Sequence, residues 1–267
     1  MTLAVLGAGK MGEALLSGLL RAGTPAVALV VSTRRATRGA ELTGRYGVRS
    51  VSSADAAGLA DTLIVTVKPQ DMAALLAEIG DGVTPAQLVV SVAAGIPTAF
   101  VEKRLAAGVP VVRVMSNTPV LVDEAMSAIS PGTAATEEHL VRTEELFGHV
   151  GRVLRVPESQ QDAVTALSGS GPAYFFYLVE AMTDAGILLG LPRAVAADLL
   201  VQTALGAALM LRDSGEHPVK LREAVTSPGG TTINAIRELE RHGVRAALIA
   251  AIEAARDRSQ QLASGHE

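Results

Sequence analysis

With 267 residues, 49% of them apolar, the chain is long enough for one large or two modest domains with real cores. It has no cysteine, which excludes disulfides and thiolate zinc sites and suits a reducing, cytoplasmic compartment. A net charge of −4 leaves no basic field for nucleic acid, and the letters show no secretory signal, no metal-ligand motif and no uninterrupted apolar run of membrane-spanning length.

The first element is an apolar strand, Leu3-Ala4-Val5-Leu6. It runs into Gly7-Ala8-Gly9-Lys10-Met11-Gly12, and an apolar helical pattern follows over residues 13–20. In G-x-G-x-x-G the first glycine permits the tight turn, the second lets backbone approach a pyrophosphate, and the third lets helix and strand pack closely. The free N–H groups and positive end of the helix then face the phosphates. The alternative is a plain Gly-rich turn; strand before and helix after favour the dinucleotide reading.

A second buried strand over 27–31 ends in Ser32-Thr33-Arg34-Arg35. An NAD-preferring site would place an acidic residue there to accept from the ribose 2′-hydroxyl. Small hydroxyls and two arginines suit a 2′-phosphate instead, so the expected cofactor is NADPH, with NADH as the alternative. A helix over 36–46 and a short strand over 48–51 come next. A buried strand over 61–67 ends in Lys68-Pro69-Gln70, which puts Val67, Lys68 and Pro69 at a carboxyl strand end, where open α/β sheets bind ligands. Nothing near Lys68 in sequence would depress its pKa, so a structural or ribose contact is preferred over acid–base work.

Pro69 opens a helix over 72–79. The strand over 88–92 finishes in Ala93-Ala94-Gly95. Two readings stand for these small residues: close approach of a nicotinamide or ribose, or tight helix–sheet packing. A helix over 97–106 and a strand over 109–115 lead to Ser116-Asn117-Thr118-Pro119. Strands over 126–130 and 153–156 flank a helix over 137–147. The alternation predicts an α/β, Rossmann-type, doubly wound and mostly parallel sheet.

Strand signals stop after Pro157. The expected division is an NAD(P)-binding Rossmann domain over 1–157 and an all-α domain over 158–267. Within the second, Leu167-Ser168-Gly169-Ser170-Gly171-Pro172-Ala173 interrupts a helical stretch reaching 189. Pro192 and Pro218 open further helices. Thr226-Ser227-Pro228-Gly229-Gly230-Thr231-Thr232-Ile233 then opens a helix through 239, and a last helix covers 244–262. That glycine- and hydroxyl-rich helix start is either a carboxylate site or an ordinary Ser/Thr cap. The helical half is too apolar for one small core, which predicts a dimer. His139, His149, His217, His242 and His266 fall in no motif and read as helix-surface, helix-end or tail residues.

Together the fingerprint, Val67-Lys68-Pro69, Ala93-Ala94-Gly95, Asn117-Thr118-Pro119, the 167–173 segment and Ser227-Pro228-Gly229-Gly230-Thr231-Thr232-Ile233 resemble pyrroline-5-carboxylate reductases over essentially the whole chain. The last two segments are the specific ones. The resemblance implies reduction of 1-pyrroline-5-carboxylate to L-proline by NAD(P)H, the last step of proline biosynthesis. It also implies a helical dimerisation domain, with dimers that often assemble into decamers. By the resemblance, Ser32, Arg34 and Ser53 lie on the adenosine side, and Arg35 joins them on the charge argument above. Val67, Lys68, Pro69, Ala93, Ala94 and Gly95 line the ribose and nicotinamide end. Ser227, Gly230, Thr231 and Thr232 hold the substrate, with Glu158 a further candidate and Thr232 bonding the ring nitrogen. Ser116 departs from the Pro or Thr of many relatives, which puts the rigidity of that loop in question. A β-hydroxyacid-type dehydrogenase would need a helix lysine in the second half, where Lys220 is the only lysine and has no partner motif. A non-catalytic NADP(H) sensor would not need the 227–232 segment.

Overall fold

A computed structural model describes residues 1–264, so the expectation for His266 lies outside it. The chain forms two compact units: Met1–Ser170 together with the chain end from Ala255, and Gly171–Ala254.

The first unit is built on eight strands: β1 (Leu3–Leu6), β2 (Leu29–Ser32), β3 (Arg49–Ser50), β4 (Thr62–Val65), β5 (Leu88–Ser91), β6 (Val111–Met115), β7 (Ala125–Pro131) and β8 (Gly151–Arg155). They form one sheet in the order β3-β2-β1-β4-β5-β6-β7-β8. All four residues of β1, β2, β4 and β5 are buried, as mostly apolar strands in a parallel sheet covered on both faces should be. Alternate residues of β1 feed separate cores: Leu3 and Val5 on one face, Ala4 and Leu6 on the other. The helices are α1 (Lys10–Arg21), α2 (Ala36–Tyr46), α3 (Ser53–Leu59), α4 (Met72–Ile79), α5 (Thr98–Glu102), α6 (Glu137–Gly148) and α7 (Gln161–Val164).

The pairing is parallel except between β6 and β7. Their connection, residues 116–124, holds one 3₁₀ turn and is too short for a parallel crossover. Asp123 ends that turn at φ +59° and receives Arg21 from α1.

Several boundaries differ from expectation. Residues 26–28 form a 3₁₀ turn after Pro25, with Val27 exposed, so β2 starts only at Leu29. The helix expected over 97–106 stops at Glu102, because Arg104 and Leu105 bond back to Val101 and Glu102 in a tight turn. Helix α3 was not foreseen; Ser52 caps it by accepting from the Asp55 N–H at 3.0 Å. The 165–169 stretch is π-helical, with Ser170 N–H reaching Thr165 O at 2.8 Å.

The second unit holds α8 (Gly171–Leu188), α9 (Arg193–Asp213), α10 (Pro218–Ala224), α11 (Thr231–Arg241) and the first half of α12 (Val244–Ser264). Helices α8 and α9 pack where Gly186 faces Ala196; a Cβ on Gly186 would lie 2.8 Å from that of Ala196. Little else is covered. Helix α9 buries only Ala196, while Phe175, Phe176 and Tyr177 are about two-thirds exposed. By length and composition α9 could cross a membrane, with a mean hydropathy of 1.8. Within it Asp198 and Gly206 break the apolar run, as the sequence reading has it.

Candidate active site

Strand order reverses at β1, which lies between β2 and β4, and in open α/β sheets ligands bind outside the carboxyl ends of strands at such a point. The fingerprint sits there. Gly7 has φ +81°, the left-handed region, and a Cβ on it would collide with the Val67 side chain. A Cβ on Gly12 would lie 2.5 Å from Thr66 Oγ1. Thr66 Oγ1 donates to Leu6 O and Gly7 O at 3.1 and 3.0 Å, tying the end of β4 to the turn. By contrast, a Cβ on Gly9 would meet only Gly7 O, at 3.7 Å. Gly9 caps α1 without a side chain, so the first-turn N–H groups of Lys10, Met11 and Gly12 face that opening. This is a cradle closed beneath and open above, and a dinucleotide phosphate fits it.

Ser32 and Ser53, separate in sequence, meet with their hydroxyl oxygens 3.0 Å apart. Ala8 stays close, its N–H donating to Ser32 O at 3.2 Å. Arg34 lies beside them, four-fifths exposed, and donates to Asp71 at 2.9 Å. Asp71 was not singled out in the sequence; it follows Pro69-Gln70 in the turn after β4. Arg35 is the N-cap of α2 and exposed. Arg38, also not singled out, donates to Ala8 O at 3.4 Å and pairs with Glu13.

Lys68 precedes that same turn, and among the described residues its ammonium has no ion-pair partner. Ala93 is buried at the end of β5, Ala94 is half-buried and Gly95 has φ +71°. A Cβ on Gly95 would lie 3.2 Å from that of Leu262 in α12. Backbone packing is therefore part of what Gly95 does. Glu158 stands next to this turn with both oxygens engaged. Oε1 accepts from Thr98 N–H at 2.7 Å and from Arg113 Nη1 at 3.3 Å, and Oε2 accepts from Thr98 Oγ1 at 2.6 Å. Thr98 and Arg113 carried no sequence signal beyond a lone charge in an apolar strand.

Asn117 links three segments: its Oδ1 accepts from Met126 N–H at 3.0 Å and its Nδ2 donates to Ser168 O at 3.2 Å. Ser116 is buried and its hydroxyl bonds that of Ser127 at 2.9 Å, which anchors the loop to β7.

In the second unit, Gly229 has φ +68° and Gly230 is the N-cap of α11. No side chain caps that helix, so the ordinary Ser/Thr cap is not what the segment forms. Gly230 N–H donates to Ser227 O at 3.1 Å, and Asn234 donates to Gly230 O at 2.9 Å. Thr231 is exposed and Thr232 half-buried. Ser227, Gly230, Thr231 and Thr232 thus gather around one helix start with free N–H groups, a geometry that can hold a carboxylate.

Residues 2–95 match a family model described as NADP oxidoreductase, coenzyme F420-dependent, and residues 158–262 match one described as pyrroline-5-carboxylate reductase dimerisation. The second match includes α9, and its exposed apolar side chains are what a dimerisation domain buries. The pyrroline-5-carboxylate reductase of Corynebacterium melassecola is 46% identical over 265 residues, 98% of each chain. A solved pyrroline-5-carboxylate reductase from Coxiella burnetii has a TM-score of 0.91 at 34% identity, covering 98% of each chain. The pyrroline carboxylate reductase of Plasmodium falciparum, solved with NADP bound, has a TM-score of 0.89 at 26% identity and also covers 98% of each. Fold, fingerprint, helical half and near-full-length identity agree, and the chain belongs to the pyrroline-5-carboxylate reductase family.

Proposed function

We propose that the chain reduces 1-pyrroline-5-carboxylate to L-proline, the last step of proline biosynthesis, as an oxidoreductase acting on a CH–NH group with NADPH. The observation that carries this reading is the near-full-length identity to curated reductases, with both the fingerprint and the Ser227–Thr232 helix start in place. The preference for NADPH over NADH is supported by the Ser32–Ser53 hydroxyl pair and Arg34, with Arg35 adjacent and no acidic residue at the end of β2.

The α1 N-terminus and the fingerprint, Gly7, Ala8, Gly9, Lys10, Met11 and Gly12, would hold the pyrophosphate. Val67, Lys68, Pro69, Ala93, Ala94 and Gly95 would line the ribose and nicotinamide. When bound, the cofactor supplies the hydride that reduces the imine carbon. The protein's share is position and charge. The first N–H groups of α11, with Ser227 and Thr231, hold the substrate carboxylate. Thr232 Oγ1 bonds the ring nitrogen and sets the imine carbon for attack, mainly a proximity effect. That nitrogen becomes more basic as it is reduced, so a protonated imine is the better acceptor, and solvent supplies the proton. The working unit is a homodimer, with decamers as a higher assembly, in a cytoplasmic setting.

The test is oxidation of NADPH and NADH with 1-pyrroline-5-carboxylate, run beside a six-membered cyclic imino acid. Faster turnover of the five-membered ring, and with NADPH, is expected. Tight NADPH binding without turnover of either ring would overturn the reading.

A further inference from the structure

We propose that Glu158, fixed by Arg113, is a positioning residue for the nicotinamide end of the site, acting through Thr98 on the Ala93-Ala94-Gly95 turn. The inference rests on the reading above that this turn lines the nicotinamide.

The turn is thinly tethered. Val92 N–H still donates to Val65 O at 2.9 Å, and Phe100 N–H donates to Pro97 O at 3.1 Å. Among the described residues no backbone N–H between Val92 and Thr98 donates a hydrogen bond within the protein. The next anchor is Thr98, whose N–H and hydroxyl both go to the Glu158 carboxylate, at 2.7 and 2.6 Å. On the other side Gly95 meets Leu262, leaving the turn bracketed between a carboxylate and a leucine of α12.

The carboxylate is itself held. Arg113 rises from β6 with a side chain only 6% exposed, and Glu158 is its one ion-pair partner among the described residues. Among the described residues its Nη2 has no hydrogen-bond partner, so Glu158 is the charge that neutralises this buried cation there. Glu158 cannot swing away without stranding that charge. The chain of contacts runs Arg113, Glu158, Thr98, turn. Both Glu158 oxygens are thereby committed to the protein's own groups.

The experiment compares Thr98→Val, which keeps the shape and loses the hydroxyl, with Thr98→Ser, which keeps the hydroxyl, and with Glu158→Gln. Each is read for kcat, substrate KM, melting temperature and the emission of bound NADPH, which no tryptophan obscures. Small misplacements of reacting atoms are costly, so Thr98→Val is expected to lower kcat on the order of tenfold with substrate KM nearly unchanged. Bound NADPH should also lose emission, Thr98→Ser should restore both, and Glu158→Gln should exceed Thr98→Val. A lower melting temperature with full kcat and unchanged emission in Thr98→Val would leave Glu158 a purely structural tie and overturn the proposal. A raised substrate KM with unchanged kcat in Glu158→Gln would make it a substrate ligand and overturn it too. Ala94→Leu separates the underlying reading: loss of NADPH binding supports the turn as cofactor wall. Retained binding removes that reading, and the inference with it.

Discussion

Glu13 in α1 shows how much of this site's support is electrostatic. It accepts from Arg45 Nη1 and Tyr46 OH, both at 2.9 Å, and from Arg38, which also reaches Ala8 O in the fingerprint. Burial pushes its pKa up, but the bonds from Arg38 and Tyr46 and the charges of Arg38 and Arg45 outweigh burial and hold it below the usual glutamate value. A carboxyl lowered in the folded state stabilises above its unfolded pKa and loses that stabilisation as pH falls through the folded one. Glu13→Gln should therefore cost on the order of 1–2 kcal/mol at pH 7 and progressively less below about pH 4. Paired denaturant titrations at neutral and acid pH check both parts. Thr232 sits at the other chemical extreme, a neutral hydroxyl placed by a helix start. If it positions the ring nitrogen, Thr232→Ala lowers kcat by about ten- to a hundredfold while NADPH affinity stays within about twofold. Steady-state rates with a separate NADPH titration distinguish this from a general loss of folding.

At the scale of elements, the fingerprint is a packing device before it is a ligand site. Thr66 Oγ1 bonds the carbonyls of Leu6 and Gly7 and also fills the space a Cβ on Gly12 would need. Gly12→Ala should cost about 1–3 kcal/mol and weaken NADPH binding, because α1 must move off β4 to make room. Thermal unfolding with and without NADPH reads both effects. This element also marks what the letters carry. The turn, the buried strands and the helices 36–46 and 72–79 were legible because glycine geometry and apolar runs are local. Helix α3 was missed although Ser52 and Asp55 form a recognisable cap, since its short alanine-rich stretch has no strong periodicity. The antiparallel β6–β7 pair depends on a nine-residue connection folding back, which the apolar pattern does not encode. The site divides the same way. Residues 7–12 and 229–232 announce themselves, whereas Thr66, Asp71, Thr98 and Arg113 matter through partners 37 or more residues away.

At the scale of the molecule, the second unit cannot bury its own apolar surface. Leu199, Val201, Leu205 and Met210 of α9 all remain more than half exposed. Patches of this kind mark interaction surfaces, and the same residues match the dimerisation family model. Leu205→Glu should convert dimers to monomers, lower the melting temperature and remove its dependence on protein concentration. Sedimentation of dilute protein checks the first, and scans at two concentrations check the others. One consequence of the chain's path lies in its biosynthesis. The first unit includes the end of α12, where Ser259 Oγ donates to Asp162 at 2.7 Å and Leu262 rests against Gly95. A growing polypeptide emerges in order, so the sheet and fingerprint leave the ribosome long before the piece that completes them. The nascent sheet must wait with the Gly95 turn uncovered until the entire second unit has been synthesised.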